Sequence, residues 1–474
     1  MLCKKLIPLV LLIIFQTNLF SQSSIVTLDD AIKLAIERNN QIKIASMEVT
    51  KAQHAVKEAF GYALPSLDLS GNFSHFISKP RMAFPDFEAL LTNAAYGILF
   101  KEDVIPYDEG KFLPMDTKLQ SFAQTNNYEV TAQLTQVLFN SAVFRGIGTS
   151  QVYLDLSKEQ LNSVVASTIL NVKKAFYGAL LTRNVLEITK ESFKNAQDNL
   201  SNVRALREKG FVSEFDALQA EVQVENIRPV VLQIENSLKT LKENLKILLG
   251  IDMEDEIELS GELTYVNEEI PDKNMAIERA LESNFDLKTL LNKREFDDAL
   301  VDLERADYYP NLAAFGSYGL AGSSDNWKFQ NYSSSLVGLS FSINLFRGTQ
   351  SSNRVQQANL TVKQTDQQIS QLKVFIITQV KEKILELERV KSLIDVQEKN
   401  VKLAERAYEI SLVRYKEGTG NQLEVQNADI ALRQARTNRL QSVYSYISAK
   451  SELEQIMGIL KEEYLTYINE LINK

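Results

Sequence analysis

The stretch AIKLAIERNNQIK at residues 31–43 returns later in the chain as AIERALESNFDLK at residues 276–288. The offset between the two stretches is 245 residues, and further along the chain it becomes 208, as when Gly210 returns as Gly418. A repeat of this length is too long for a solenoid, whose units run to about 20–50 residues. The sequence therefore predicts a duplicated, domain-sized unit.

Each copy has the same predicted order: a helix, a strand hairpin, a very long helix, a tight tip and a returning helix. The predicted boundaries are residues 22–250 for the first copy (hairpin at about 66–140, tip near 210), 251–275 for a connecting, equatorial segment, 276–458 for the second copy (hairpin at about 310–346, tip near 418) and 459–474 for a C-terminal tail.

The strands are predicted from alternating residues. In YEVTAQLT at 128–135 and VGLSFSINL at 337–345, every second residue is mostly apolar and the residues between are mostly small or polar. This pattern is typical of a strand with one apolar face. Each of these strands has a predicted partner that follows a proline, and the first hairpin has a long loop at about 79–120. Aromatic residues at the second loop, Trp327, Phe329 and Tyr332, fit either a membrane-interface girdle or local packing.

Four strands cannot close a barrel, and an open sheet edge invites further pairing. Two arrangements resolve this. The hairpins can lie against the helices of their own chain, or several chains can pool their strands. Three chains would supply 12 strands, which is within the known sizes of membrane barrels.

The long helices are predicted at about residues 142–209 and 350–417, where no proline occurs. At 1.5 Å per residue each would be roughly 100 Å long. Phe193, Ala196 and Leu200 have the 3, 4 spacing of a coiled-coil seam, which continues after the tips, where Pro229 interrupts one returning helix. Helices of this length suit a protein that bridges a distance better than they suit an enzyme.

The N-terminal segment differs from the rest of the chain. Lys4 and Lys5 precede a short apolar run, so residues 1–21 are predicted to be a secretory signal peptide. The single cysteine, Cys3, lies within it, and its removal would leave no thiol for a disulfide. Loss of the two lysines would change the net charge from −9 to −11. No later segment holds 18 uninterrupted apolar residues, so strands would have to span any membrane.

Motifs for catalysis are missing from the sequence. There is no glycine-rich phosphate loop and no metal-ligand spacing, and His54 and His75 stand alone. We therefore expect no enzymatic activity, no cofactor and no metal. An enzyme with an unrecognised acidic site is the interpretation that these observations favour least. An acidic chain without a basic tract also makes nucleic acid an unexpected partner.

From Leu28 to about Gly458, the duplicated order resembles the TolC-like family of outer-membrane efflux and secretion channels. This resemblance implies a mainly α-helical fold with a membrane β-barrel: a homotrimer whose four strands per chain form a 12-stranded barrel, and whose coiled-coil helices form a periplasmic α-barrel. It implies location in the outer membrane, in contact with its lipid, with a periplasmic extension. A periplasmic membrane-fusion adaptor and an inner-membrane transporter would be the partners.

The resemblance also implies functional residues at the tips. The periplasmic gate would include Glu424, with Asn427 at a second position that is acidic in the family, Tyr415 as the latch aromatic and Asp216 as the acidic residue near the first tip. A basic latch residue of the family is replaced by Gly420. The adaptor would contact the tips at Gly210, Phe211, Val212, Gly418, Thr419 and Gly420.

Two functions remain open at this point. The first is the outer-membrane channel of a tripartite efflux pump or a type I secretion system, an exit duct for small molecules or proteins. The second is a periplasmic coiled-coil scaffold without a pore. The scaffold requires the apolar faces of both hairpins to pack on the chain's own helices.

Overall fold

A computed structural model describes residues 24–473. The predicted signal peptide and Cys3 lie outside the described residues. The chain forms two compact units. The first, within the described part, contains residues 24–56, 149–301 and 356–473, and the second contains residues 57–148 and 302–355.

The helices are α1 (Leu28–Arg38), α2 (Asn40–Gly61), α3 (Phe87–Lys101), α4 (Ser141–Glu208), α5 (Glu214–Leu249), α6 (Lys273–Ser283), α7 (Phe285–Arg305), α8 (Gln350–Lys416), α9 (Gln422–Ile456) and α10 (Glu462–Asn473). The strands are β1 (Ser24–Val26), β2 (Ser66–His75), β3 (Met82–Pro85), β4 (Thr117–Gln120), β5 (Asn126–Asn140), β6 (Ile257–Leu259), β7 (Asn311–Ser324) and β8 (Gln330–Ser342).

Within each copy of the repeat, the same side-chain contact joins the first helix to the returning helix. Asn39 follows α1, and its amide donates to the carbonyl of Leu248 at 2.8 Å. Its counterpart Asn284 follows α6 and donates to the carbonyl of Ile456 at 3.0 Å. The members of each pair are related by the offsets of 245 and 208 residues seen in the sequence. The duplication is therefore confirmed at the level of individual hydrogen bonds.

A glycine completes each of these junctions. Gly250 and Gly458 end the returning helices α5 and α9 with φ of +66° and +67°. A Cβ atom on Gly250 would lie 2.3 Å from the carbonyl oxygen of Arg38, and one on Gly458 would lie 2.1 Å from that of Ser283. Both positions therefore require glycine for its backbone conformation and for its lack of a side chain.

The first unit has one large apolar core. It is built from residues 161–180 of α4, 376–394 of α8 and 440–456 of α9, together with the junction helices. Phe176, Val380 and Val443 are almost completely buried there. Among the described residues, α4 alone is long and apolar enough to cross a membrane, and 44% of its most apolar window is buried. Its packing in this core accounts for that composition.

The segment predicted to be a C-terminal tail contains helix α10. Tyr464 is 1% exposed in the core of the first unit, and its hydroxyl donates to the carboxylate of Asp29 at 2.9 Å. Burial raises the pKa of Tyr464, and the hydrogen bond to Asp29 raises it further. Helix α10 is thus part of the folded unit.

Near the tips, the predicted coiled-coil seam is present between α4 and α5. Ala196 packs with Val224 and Ile227, and Phe193, Leu200 and Val231 surround this cluster. Helix α5 continues through Pro229 to Leu249, so the interruption predicted at this proline is wrong. The 3, 4 spacing in the sequence thus identified the face through which these helices pack.

The second unit contains an antiparallel sheet with strand order β2-β5-β7-β8. Its register places alternate residues on one face, and that face is mainly apolar. The apolar face includes Leu67, Leu69 and Phe73 of β2, Tyr128, Val130 and Leu134 of β5, Leu312, Tyr318 and Leu320 of β7, and Val337, Leu339 and Phe341 of β8. Leu69 is 76% exposed and Val337 is 86% exposed. Within the described chain, the outer edges of β2 and β8 have no partner strand.

The segment predicted as a loop at 79–120 has secondary structure. Strands β3 and β4 pair with each other, and α3 lies between them in the chain. Asp86 caps α3, and the amide of Asn93 both donates to and accepts from the backbone of Leu113. Phe84 and Phe122 pack edge to face, 4.8 Å apart. The stretch lacks a helical period of charged residues, which is why the sequence did not indicate a helix.

The aromatic residues at the second hairpin pack on the ends of the strands. Trp327 stacks on Phe73 with ring centroids 6.1 Å apart, and Phe329 lies edge-on to Tyr128 at 5.3 Å. In the same turn, Asp325 accepts hydrogen bonds from Lys79 and Thr125, which lower its pKa to about 2. Local packing of these rings is thus present. Contact with a membrane interface remains a prediction.

Candidate functional site at the helix tips

The two tips are turns of the same kind. Gly210 joins α4 to α5 and Gly418 joins α8 to α9, with φ of +75° and +73°. The N–H groups of Phe211 and Thr419 each donate to the carbonyl five residues earlier, at 3.0 and 2.9 Å. A Cβ atom on either glycine would meet nothing within 4 Å. Glycine is therefore required at the tips for its positive φ alone.

An acidic residue in the first turn follows each tip. The Ser213 hydroxyl donates to Asp216 at 2.6 Å, and the Asp216 N–H donates back to Ser213 at 3.2 Å, which forms a capping box. Asn421 caps α9 by accepting from the N–H of Glu424 at 2.9 Å. The helix dipole favours negative charge at both positions. This geometry explains why the two residues are acidic, and their role in a gate remains a prediction.

Arg414 was not identified from the sequence, and it lies at the centre of the second tip. Its guanidinium is 3.4 Å from the carboxylate of Glu424 and donates to the carbonyl of Thr419 at 3.2 Å. A Cβ atom on Gly420 would lie 3.1 Å from Cβ of Arg414, so this turn leaves little room for a side chain at 420. Arg414, in the last turn of α8, thus places a positive charge beside Gly420.

Tyr415 packs on the first tip. It lies against a buried cluster of Val203, Ala217 and Ala220, to which Leu200 and Val212 also belong as partly buried members. The Tyr415 hydroxyl is buried and has no hydrogen-bond partner within the described chain. Burial, followed by the nearby charge of Asp216, raises its pKa. The predicted latch aromatic therefore joins the two tips through apolar contact.

The predicted adaptor-contact residues differ in exposure. Phe211 is 75% exposed, and Thr419 is also exposed. Val212 is half-buried because it packs on the Tyr415 cluster. Asn427, the second predicted gate position, is exposed on α9. Phe211 and Thr419 are thus the side chains of this set that a partner could reach most easily.

Gln422 is the most unusual side chain at the tips. It is the first residue of α9 and is 1% exposed. Neither its amide oxygen nor its amide nitrogen has a hydrogen-bond partner among the described residues. A buried polar group without a partner costs about 1–3 kcal/mol. The observed arrangement of the tip therefore carries a local penalty.

Replacing Gln422 with leucine should remove that penalty, because leucine fills a similar space without polar atoms. We expect the tip to be stabilised by about 1–3 kcal/mol, so amide exchange around the second turn should slow by about tenfold or more. Hydrogen-exchange mass spectrometry of tip peptides measures this. Gln426→Leu, the same change at a partly exposed position, is the control. Unchanged exchange in Gln422→Leu would show that its amide is satisfied by water.

Polar side chains join α4, α8 and α9 near the second tip, and we call this group the polar clasp. Asp429 is 7% exposed and accepts a hydrogen bond from the hydroxyl of Ser192 on α4 at 2.5 Å. Burial raises the pKa of Asp429, while the hydrogen bond to Ser192 and the nearby Arg433 partly oppose that shift. Tyr408, Glu409 and Arg433 line the adjoining cavity of about 280 Å³.

Arg436 forms the second half of this clasp. Its guanidinium is 3.1 Å from Glu191 of α4 and 3.0 Å from Glu405 of α8. The sequence contained a signal for the clasp, because Gln422, Val425 and Asp429 share the 3, 4 spacing of buried seam positions. A polar residue at a buried seam position can specify the register of a coiled coil, at a cost in stability.

The family to which the chain belongs was found by comparison with known proteins. The model of the outer membrane efflux protein family matches residues 31–251 and 276–459. The chain belongs to this family. The family assignment places the protein in the outer membrane, with a periplasmic extension, as an outer-membrane channel for efflux or secretion.

Individual members of the family are distant in sequence and close in fold. The alkaline protease secretion protein AprF of Pseudomonas aeruginosa is 23% identical over 346 residues, which is 72% of either chain. The outer membrane protein TolC of Salmonella enteritidis is 22% identical over 364 residues, 74% of this chain and 73% of its own. The CmeC outer membrane channel of Campylobacter jejuni is 17% identical, with a TM-score of 0.73 over 94% of this chain and 89% of CmeC.

These likenesses confirm the fold class predicted from the sequence, which is mainly α-helical with long coiled-coil helices and a membrane β-barrel. Within residues 24–473, no three His, Cys, Asp or Glu side chains are grouped so that they could hold a metal ion. The division of the chain at residues 22–250, 251–275, 276–458 and 459–474 stays a prediction.

Proposed function

We propose that the protein is a homotrimeric exit duct, the outer-membrane component of a tripartite efflux pump or a type I secretion system. The sheet of the second unit carries this proposal. One of its faces is mainly apolar and exposed, and the strands at both of its ends have an unpaired edge within the described chain. Copies of the chain that pair edge to edge would satisfy those backbone groups and turn the apolar faces toward lipid.

The sheet also argues against the scaffold. A scaffold without a pore needs the apolar strand faces to be covered by the chain's own helices. Leu69, Val337 and Leu339 are instead 76%, 86% and 70% exposed. A large apolar face that is exposed to water promotes aggregation. In a bilayer, the surrounding lipid requires an apolar face.

We further propose that the duct opens when α8 and α9 separate from α4 and α5 near the tips. Near Asp429, two side-chain hydrogen bonds join α4 to α9, one from Ser192 to Asp429 and one from Arg436 to Glu191. Hydrogen bonds to charged groups contribute about 1.5–3 kcal/mol each, because water replaces them on separation. Water cannot replace the apolar contacts of the core around Phe176 and Val380 in this way. At the tips, the apolar contact between the two pairs is the small cluster around Tyr415, which is much smaller than that core, so the tip half is the part that we expect to move.

The partners of this proposal are an adaptor and a transporter. We propose that a periplasmic membrane-fusion adaptor binds the exposed residues of the turns, above all Phe211 and Thr419, together with Val212, Gly210, Gly418 and Gly420. An inner-membrane transporter would supply the energy. AprF is named for secretion of a protease, and CmeC for an outer membrane channel.

The test is the conductance of the purified protein in planar bilayers, with its mass measured in detergent. We expect a trimer that forms a cation-selective pore. Three copies of Glu424 would line its tip, so Glu424→Gln should weaken cation block or selectivity on the order of fivefold, the effect of about 1 kcal/mol. Arg414→Gln should act in the opposite direction, because Arg414 pairs with Glu424.

The matched control is Glu417→Gln, the same change on the exposed end of the same tip. Equal effects of the variants at 417 and 424 would remove Glu424 from the gate and leave a general charge effect. A monomer without conductance would contradict the duct itself and restore the scaffold.

A further inference from the structure

Helix α3 exposes its apolar side. Phe87, Leu91 and Ile98 are 45%, 65% and 64% exposed. With 3.6 residues per turn, these three side chains lie within about 40° of one another around the helix axis. Further exposed apolar residues lie on the same half of the helix: Leu90, Ala94 and Ala95. We call these six residues the α3 stripe.

The other side of α3 is held by its own segment of the chain. Asn93 donates to the carbonyl of Leu113 at 2.8 Å and accepts from its N–H at 2.7 Å. The ring of Phe100 packs on Tyr107 and Phe112, with centroids 5.2 and 5.6 Å apart. Residues 93 and 100 lie about 160° and 180° around the helix from residue 91. The contacts that fold this segment therefore turn the α3 stripe outward.

The order of the elements places α3 at one end of the four-stranded sheet. Helices α2, α4, α7 and α8 all connect to the opposite end, next to Ser66, Asn140, Asn311 and Ser342. Helix α3 lies in the segment that joins the other ends of β2 and β5. The long helices belong to the periplasmic extension of the family. Helix α3 therefore lies on the external side of the outer membrane.

The apolar face of the sheet continues toward α3. Ile77 follows β2, keeps the alternation of Leu69 and Phe73, and is 98% exposed. The N–H of Phe76 donates to the carbonyl of Thr125 at 2.8 Å, so the pairing of the two segments extends beyond the strands. Exposed apolar side chains thus reach the end of the sheet at which α3 lies.

Aromatic rings link this end of the sheet to the stripe. Phe122 lies three residues before Thr125 and is 62% exposed. Its ring centroid is 4.8 Å from that of Phe84 and 6.3 Å from that of Phe87, the first residue of the α3 stripe. The exposed apolar surface of the sheet therefore continues through Phe122 into the stripe.

We propose that α3 lies along the external surface of the outer membrane, with the α3 stripe among the lipid acyl chains beside the barrel. The inference rests on the proposed function, in which the apolar face of the sheet meets lipid. Lipid is the occupant because the stripe continues that face and all six of its residues are apolar. Helices at membrane interfaces bury their apolar side about 5–10 Å into the boundary between headgroups and acyl chains.

The length of α3 fits a position along the membrane. Its 15 residues span about 22 Å, which is less than the hydrocarbon core of about 30 Å. Charged residues stand at both of its ends, Glu88 in the first turn and Lys101 in the last. The flanking strands β3 and β4 pair antiparallel, so the chain enters and leaves this segment on the same side. One such helix from each copy would hold the rim of the barrel at the level of the external leaflet.

Quenching by brominated lipid is the first test. Leu91→Cys in a Cys3→Ser background has one thiol for an environment-sensitive fluorophore. The full-length protein is reconstituted in phosphatidylcholine vesicles with plain or brominated acyl chains. Because bromine quenches at short range, the label at 91 should lose most of its fluorescence in the brominated vesicles. A label on Ile98→Cys should behave in the same way, since residues 91 and 98 lie on one side of α3.

Lys111→Cys is the matched control. Lys111 is exposed and precedes Phe112, which packs on the side of α3 opposite the stripe. Its label should keep its fluorescence in brominated vesicles. Labels at 91 and 98 that stay as bright as the label at 111 would overturn the proposal. Equal quenching at all three positions would overturn the orientation of the helix.

Protection from protease is the second test. Leu91→Asp with Ile98→Asp should release α3 from the membrane and speed its cleavage by chymotrypsin by about tenfold or more, because two large apolar side chains leave lipid. Both residues are exposed within the described chain, so the fold of the segment should remain intact. Lys111→Asp with Thr117→Asp, at exposed positions away from the stripe, should be cleaved at the wild-type rate. Equal rates for the two double variants would contradict burial of the stripe in lipid.

The outcomes separate this inference from the proposed function. Disulfide-linked copies of Leu91→Cys after mild oxidation would show that second copies cover the stripe over the mouth of the barrel, which would overturn the lipid contact. An unquenched label at 91 in a trimer that conducts ions would refute the position of α3 and leave the duct intact. A monomer without conductance would refute the duct itself.

Discussion

Gly458→Ala should leave little folded protein in the outer membrane, whereas Gly418→Ala should remain close to wild type. Both glycines have positive φ, +67° and +73°, so both variants carry the backbone cost of alanine there, about 1–2 kcal/mol. They differ in their surroundings. A Cβ at 458 would lie 2.1 Å from the carbonyl oxygen of Ser283, whereas one at 418 has nothing within 4 Å.

The contact at Gly458 cannot be relieved by a rotamer change, because the neighbouring atom belongs to the backbone. The end of α6 would have to move, and Asn284 would then lose its hydrogen bond to the carbonyl of Ile456. Forced movement in a packed region adds about 1–3 kcal/mol. The total, roughly 2–5 kcal/mol, is a large fraction of the stability of a typical domain.

The measurement is the thermal midpoint and yield of the protein extracted from outer membranes, for both variants side by side. Gly250→Ala should behave like Gly458→Ala, since its Cβ would lie 2.3 Å from the carbonyl oxygen of Arg38. Equal midpoints for the variants at 418 and 458 would mean that the junctions relax easily. The contacts shared by the two copies would then be less important for folding than the geometry indicates.

Leu339→Arg should prevent stable insertion into the outer membrane, and Ser340→Arg should be tolerated. The two residues are neighbours on β8 and point to opposite faces of the sheet. Leu339 lies opposite Ala314 on the apolar face, and Ser340 lies opposite Ala313 on the other face. An arginine on the lipid side of a membrane barrel is destabilising by about 2–4 kcal/mol near the midplane, whereas lumen positions accept charge.

The same two variants show whether the apolar face of the sheet is surrounded by lipid or by water. Leu339 is 70% exposed in the chain, and substitutions at an exposed site in water usually change stability by less than about 0.5 kcal/mol. Fractionation of cells and resistance of the protein to carbonate washing are the measurements. If Leu339→Arg and Ser340→Arg fractionate alike, the apolar face does not meet lipid, and the proposed pooled barrel is wrong.

Several parts of the molecule were predicted because their signals are local in the sequence. The long helices were predicted at 142–209 and 350–417, and they occur at Ser141–Glu208 and Gln350–Lys416. Spacing of 3 and 4 residues identified the seam at Ala196, which the structure places in a buried cluster. Periodicity reports which side of an element is buried, whatever covers it.

Other parts were missed because their signals are not local. Helix α3 has no charged residue between Glu88 and Lys101, so its sequence has no amphipathic period to detect. Arg414 lies near Glu424 because the turn at Gly418 folds the end of α8 back on α9. The hydroxyl of Ser192 bonds to Asp429, 237 residues away. Neither contact can be read from spacing along one helix.

The duplication, the amphipathic strands, the lengths of the helices and the glycines of the tips can all be read from the amino-acid sequence. Each depends on the conformational preference or periodic burial of neighbouring residues. The side chains that meet at the tips, in contrast, depend on tertiary packing. Gln422 is buried without a partner among the described residues, Tyr415 packs on the first tip, and Arg414 lies beside Gly420 and pairs with Glu424. These contacts depend on how distant helices pack, because burial and pairing are properties of the whole arrangement and not of one segment.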